Sequence, residues 1–144
     1  MYDSILVPVD LSDSNEQVLR RAVDLGNPDE STVTLLHVIE MVEDISLDDD
    51  EDFYAELRDN ADEKMSRWAS QVAEHGFDVT AEITYGKRDQ EIVRVAGEQP
   101  SDLVVMRSHV IDPDEADSQE RLGTVSHQVA LFAPCSVLVV RESA

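Results

Sequence analysis

Five short apolar runs, Ser4–Val9, Thr32–Ile39, Val79–Ile83, Leu103–Met106 and Ser136–Val140, recur along the chain with longer segments between them. That alternation restricts the fold more than any other feature. The first run carries Ile5, Leu6, Val7 and Val9 almost without a polar break, and the second carries Val33, Leu35, Leu36, Val38 and Ile39. Near-continuous apolar strands are those covered on both faces, which in practice means a parallel sheet between layers of helix. The intervening segments change to a helical period. Val18, Leu19, Ala22, Val23 and Leu25 follow Ser14-Asn15-Glu16-Gln17, which resembles a capping box, and Gly26 is a stop signal.

Further along, Phe53, Leu57, Ala61, Met65, Trp68 and Val72 are spaced by four and three, which predicts one buried stripe on a long helix ending near His75-Gly76. Gly86-Lys87-Arg88-Asp89 leads a helix carrying Ile92, Val93 and Ala96, which Pro100-Ser101 breaks. After the fourth strand a polar loop is expected over Arg107–Arg121, then a helix over Gly123–Phe132, then Ala133-Pro134-Cys135 before the last strand. Strand and helix alternate throughout, so the predicted class is α/β with right-handed crossovers. With 144 residues and 42% hydrophobic content, the chain has the size of one domain, residues 1–144.

Charge narrows the function. There are 32 acidic residues against 11 basic ones, a formal net charge of −21, and Lys64 and Lys87 are the only lysines. Self-repulsion of this size loosens a compact state, and salt near 1 M shortens its range to about 3 Å. A halophilic setting is therefore expected. Nucleic acid is excluded as a partner because the basic footprint that binding a phosphate backbone requires is missing. No run of 18 apolar residues suggests a membrane span, and no basic segment followed by an apolar run opens the chain, so a cytoplasmic protein is expected. Cys135 is the lone cysteine, and an internal disulfide is impossible.

Read in order, several segments resemble the universal stress protein family. They are Ile5 to Asp10 with Ser12 and Ser14, Leu35 to Val38, Gly86 with Ile92-Val93, Asp102 to Met106, Gly123 to Ser126, and Ala133 to Val140. The resemblance implies a doubly wound, five-stranded parallel sheet of order 3-2-1-4-5 with helices on both faces, and a homodimer through the last strand, Ser136–Val140. In one branch of the family it implies an ATP site, with magnesium accompanying the nucleotide. Asp10 and Val38 then match the positions that hold base and ribose, beside Pro8, Val9, Met106 and Arg107, while Asp10 reads equally as a helix-entry acid bonding nearby N–H groups. Gly123, Thr124, Val125 and Ser126 match the phosphate end, and a helix opening there suits an anion or simply caps itself.

The ATP branch carries Gly-x-x-Gly after the fourth strand, nine residues, then Gly-Ser or Gly-Thr. Here Arg107-Ser108-His109-Val110 stands in the first position and twelve residues separate Val110 from Gly123. From Arg107 to Arg121 the loop carries five acids, Asp112, Asp114, Glu115, Asp117 and Glu120, against two arginines. The phosphate loop is degenerate. Two functions remain open: a small-ligand, adenine nucleotide-like binding or regulatory module, and a dimeric interaction protein of the same fold that does not bind nucleotide. No serine elbow, P-loop or zinc spacing is present, so no enzyme is expected. His37 reads as a satisfied histidine in a strand, His109 and His127 as unpaired signals, and Cys135 as a small packed residue. Because the net charge dominates this reading, the melting temperature is expected to rise steadily from dilute buffer to molar KCl, followed by circular dichroism; a flat or falling trend would remove the halophilic expectation.

Overall fold

The computed structural model describes residues 2–12, 15–40, 51–108 and 125–141. The elements alternate as β1 (Ser4–Pro8), α1 (Asn15–Leu25), β2 (Thr32–Glu40), α2 (Glu51–Ala73), β3 (Asp78–Gly86), α3 (Arg88–Glu98), β4 (Leu103–Ser108), α4 (Val125–Phe132) and β5 (Ser136–Arg141). All strand pairings are parallel, and the sheet order is β3-β2-β1-β4-β5. The doubly wound topology expected from the sequence is the one observed. Segment 41–50, with most of the acidic run before α2, lies outside the described residues, as do Ser14 of the capping box and all of 109–124.

Side chains alternate across the pleat and divide the core into two layers. Ile5 and Val7 of β1 with Val9 just beyond it, Val33 and Leu35 of β2, and Leu103 and Val105 of β4 pack on the α1 and α2 side, against Val18, Ala22, Met65 and Trp68. Leu6, Leu36, Val38, Val104 and Met106 face the other way, against Ile92, Val95 and Ala96 of α3 and Val129 of α4. The central strands β1, β2 and β4 are therefore buried on both faces, which explains their unbroken apolar runs. Each fully buried side chain of this kind contributes roughly 1.5–3 kcal/mol before chain entropy is counted.

Strand ends differ from the sequence reading by one residue at β1, β2 and β5 and by more at β3 and β4. β3 runs on through Thr84 and Tyr85 to Gly86, paired along its length with β2 up to Glu40↔Gly86. β4 continues past Met106 through Arg107 and Ser108, paired with Val140 and Arg141. Polar residues at the carboxyl ends hid both extensions, although backbone pairing does not depend on apolar side chains. The α2 stripe also differs at its start. Tyr54, not Phe53, is buried there, while Phe53 is 38% exposed and meets the Tyr54 ring edge-on at 5.1 Å. Tyr54 is followed inward by Ala61, Met65, Trp68 and Val72.

The amino ends of the strands are tied by side chains. The Asp102 carboxylate accepts the backbone N–H groups of Asp3 (2.9 Å) and Ser4 (3.0 Å), which fixes β1 against β4. Ser31 donates from its hydroxyl to the Tyr2 carbonyl and accepts the Asn27 N–H, both at 2.7 Å, which fixes the turn into β2. Gly26 ends α1 where the ring of Phe77 presses closest. A Cβ built at Gly26 would lie 2.5 Å from Phe77 Cε1 and 3.3 Å from Ile5 Cδ1, and the buried ring has little room to retreat. Gly26→Ala is expected to lower unfolding free energy by roughly 1–3 kcal/mol, the usual cost of overpacking a core, measured by denaturant titration in molar KCl.

Candidate functional site

The carboxyl ends of β1, β2 and β4 meet above the sheet centre. The chain leaves β1 toward α1 on one face, while β4 is approached from α3 on the other, so a crevice opens over the tip of β1. Such a reversal of strand order is where open α/β sheets hold ligands.

Its geometry starts from β1. The Val9 N–H donates to the Leu36 carbonyl at 2.8 Å, and the Val9 carbonyl accepts Nδ1–H of the buried His37 at 3.0 Å. Asp10 is thereby held next to a residue tied to β2 by both backbone and side chain. Its Oδ1 accepts the Ser12 N–H and the Asn15 Nδ2, each at 2.8 Å. Its Oδ2 faces Arg107 Nη1 at 3.4 Å, and the same Nη1 donates to Ser12 Oγ at 2.6 Å. Asn15 Nδ2 also reaches the carbonyls of Asp10 (2.6 Å) and Ser12 (2.7 Å). The turn after β1 is thus closed by one amide, one hydroxyl and one guanidinium.

These contacts set the charge states. Burial pushes the Asp10 carboxyl upward, but the hydrogen bonds from Ser12 and Asn15 and the Arg107 charge outweigh it, and the net displacement is downward. Asp10 is a carboxylate at neutral pH. Burial lowers the His37 imidazole; its bond to Val9 opposes this, Arg88 adds to the lowering and Asp10 offsets part of it, with a downward result. His37 is therefore neutral at neutral pH and keeps its Nδ1–H for Val9. It is the satisfied strand histidine the sequence suggested.

Around this knot the cleft brings together Pro8, Val9, Asp10 and Val38 with Met106 and Arg107, and with Val125 and Ser126 at the start of α4. Gly123 and Thr124 lie outside the described residues, as do His109 and Val110 of the degenerate loop. Four further lining residues were not anticipated: Asn15, Leu36, Arg88 and Ile92. Leu36 and Ile92 looked like ordinary core. Asn15 looked like a helix-start residue, and Arg88 sat in a segment read for its helix start. The floor, Leu36, Val38, Ile92 and Met106, is apolar, while the rim carries Arg88 and Arg107 beside one acid, Asp10. Arg88 also lies 4.0 Å from Glu40, near the mouth. Among the described lining residues two arginines stand against one carboxylate, Arg107 beside Asp10 and Arg88 within reach of Glu40.

An apolar floor with an acceptor and cations at the rim suits a planar, partly apolar ligand that carries an anion. Among the described residues no group of three His, Cys, Asp or Glu side chains is placed to hold a metal. Asp10, the one acid among the described lining residues, is already engaged by Ser12, Asn15 and Arg107. The described lining therefore fits an organic anion and does not itself supply a magnesium site. Cys135 is half-buried at the amino end of β5, away from the cleft, and burial with the nearby Asp102 charge pushes its thiol upward, as for an unreactive packed cysteine. Among the described residues no helix is long and apolar enough to cross a membrane.

Comparison with known proteins agrees with this architecture. Residues 1–141 match the model of the universal stress protein family. Universal stress protein YxiE of Bacillus subtilis is 28% identical, with 98% of this chain and 100% of that protein covered. The solved structure of protein MJ0577 of Methanocaldococcus jannaschii is 29% identical and superposes with a TM-score of 0.84, covering 100% of this chain and 99% of that one. A universal stress protein of Archaeoglobus fulgidus in complex with dAMP shares the fold at 24% identity, TM-score 0.66, with 96% of this chain and 97% of that one covered. The chain belongs to the universal stress protein family.

Proposed function

We propose that this protein is a stress-response module that binds an adenine nucleotide-like ligand in the cleft over β1 and works by binding, not by catalysis. The observation that carries the proposal is the Asp10 knot beside Arg107 and Arg88, an acceptor and two cations above an apolar floor at the reversal of strand order. The base stacks over Val38 and Met106, with Asp10 accepting a donor from base or ribose. The phosphate is met by Arg107 and Arg88 and by the start of α4, with Gly123 and Thr124 as further contacts. Guanidinium groups here replace the glycine backbone of the ATP branch. ATP binds only with its phosphates carrying their own magnesium, because the described lining offers the metal no free acid, and a monophosphate is the better match to two arginines. The cell is halophilic and the protein cytoplasmic, in keeping with the charge of −21.

Isothermal titration in molar KCl tests this reading with adenosine, AMP and ATP with magnesium. Saturable heat is expected for AMP. Arg107→Gln is expected to weaken AMP by roughly ten-fold and to leave adenosine unchanged, whereas Asp10→Ala weakens both by roughly ten-fold or more. Absence of heat with all three ligands would end the nucleotide reading.

A second reading, a homodimer that engages other proteins, is favoured by a separate observation. β5 is an edge strand, and next to it Leu131 and Phe132 are 62% and 65% exposed. An apolar edge beside exposed large side chains favours pairing with a second copy through Ser136–Val140. Light scattering in molar KCl is expected to give about 32 kDa, twice the 16.1 kDa chain, with Phe132→Asp shifting the mass toward the monomer. A wild-type mass near that of one chain would exclude the dimer.

A further inference from the structure

Asn15 is 1% exposed, begins α1 and lines the cleft. Its orientation is determined by its neighbours, because Nδ2 stands within 2.8 Å of three acceptors, Asp10 O, Asp10 Oδ1 and Ser12 O. Exchanging the amide ends would place a carbonyl oxygen against all three. The two Nδ2 hydrogens are thus spent on closing the turn, and Oδ1 is turned away from them. This Oδ1 is buried and accepts no hydrogen bond. Buried acceptors are rarely left in that state, and each carries the full cost of its lost hydration. Closing the turn accounts for Nδ2 and leaves Oδ1 unexplained.

We propose that Asn15 is a specificity-determining residue whose Oδ1 accepts an N–H or O–H donor of the bound nucleotide, next to the donor taken by Asp10. The inference rests on the nucleotide reading of the cleft and adds to it which atoms discriminate among ligands. Asp10 Oδ1 is occupied by Ser12 and Asn15, so the carboxylate meets the ligand through Oδ2, on the Arg107 side. The site then holds two acceptors of different charge, one anionic and one neutral, both fixed before the ligand arrives. A ligand lacking the donor opposite Asn15 leaves Oδ1 buried and unpaired, which is a stronger penalty than losing a solvent-exposed contact. A ribose hydroxyl and the exocyclic amine of adenine both have this chemistry.

The test measures AMP, 2′-deoxy-AMP, 3′-deoxy-AMP and IMP by titration calorimetry, on wild type, Asn15→Ala and Asn15→Ser, in molar KCl with folding checked by circular dichroism. Wild type is expected to reject one of the three analogues by roughly ten-fold relative to AMP, and Asn15→Ala to bind that analogue and AMP within about two-fold of each other. The rejected analogue identifies the donor as hydroxyl or amine. If Asn15 only holds Asp10 in place, Asn15→Ala weakens all four ligands by one factor and the wild-type ratio survives, which overturns the proposal. Equal binding of all four ligands by wild type overturns it as well, without recourse to a variant. Should Asn15→Ala fail to fold, Asn15→Ser supplies the ratio. Failure of every nucleotide to bind wild type removes the nucleotide reading and this inference together, an outcome distinct from binding without discrimination.

Discussion

The structure depends first on β1 being buried on both faces. Leu6 and Val7 have no exposed surface, and Ile5 has 1%, so the strand cannot shift by one residue without exchanging its two core layers. Its neighbours are then fixed in register, β2 from Ser4↔Thr32 to Pro8↔Leu36 and β4 at Ile5↔Leu103 and Leu6↔Val104. Because β2 and β4 lie on opposite sides of β1, the connections diverge above its carboxyl end and leave a crevice there. Apolar packing below thus decides where the polar chemistry sits above. The Asp102 carboxylate fixes β1 against β4 from the amino end, so the position of Asp10 is constrained at both ends of β1.

At that crevice the protein brings one carboxylate together with two of its few arginines. Most of its ion pairs elsewhere, such as Arg67–Glu63 and Arg58–Asp62, join well-exposed side chains on one helix, and such pairs are worth about 0–1 kcal/mol each. The Asp10–Arg107 pair is different in kind, since its side chains are 27% and 18% exposed and are further bonded to Ser12 and Asn15. Partial burial weakens screening, so this contact persists at salt concentrations that suppress the surface pairs. In a molecule of net −21, Arg88 and Arg107 are the two cations among the described lining residues through which the cleft would meet an anion.

Much of this was legible in the sequence, and the reasons differ by residue. The order of elements followed from Ile5 to Val9, Val33 to Ile39 and Leu103 to Met106, because strands buried on both faces leave an unbroken apolar run. Asp10 stood out as an acid directly after such a run. Tyr54 was missed because Phe53 fits the same spacing, and one position of helical phase decides which of two adjacent rings is buried. Arg107 was read as the first residue of a loop because a charge ended the apolar run, yet its backbone pairs with Val140 as strand. Asn15 and Arg88 were hidden for another reason. Each sits in a segment whose helix-start signal already gave it a role, and only the fold brings α1 and α3 to the same opening.

On the proposed nucleotide reading, an arginine where the ATP branch carries glycine has a physical consequence beyond the loss of a motif. A glycine loop recognises phosphate through backbone N–H groups, which needs permissive dihedrals and close approach. A guanidinium on a strand end needs neither, because the paired backbone of β4 stays regular while the side chain carries the charge. Its reach is limited, however, by the bonds to Asp10 and Ser12 that hold it beside the floor of the cleft. An anion bound there lies close to the sheet, in contact with the side chains that line it, and is recognised by shape and charge over a short span. On the proposed reading that geometry suits a compact anion better than an extended polyphosphate, with selectivity carried by the fixed side chains at the end of β1.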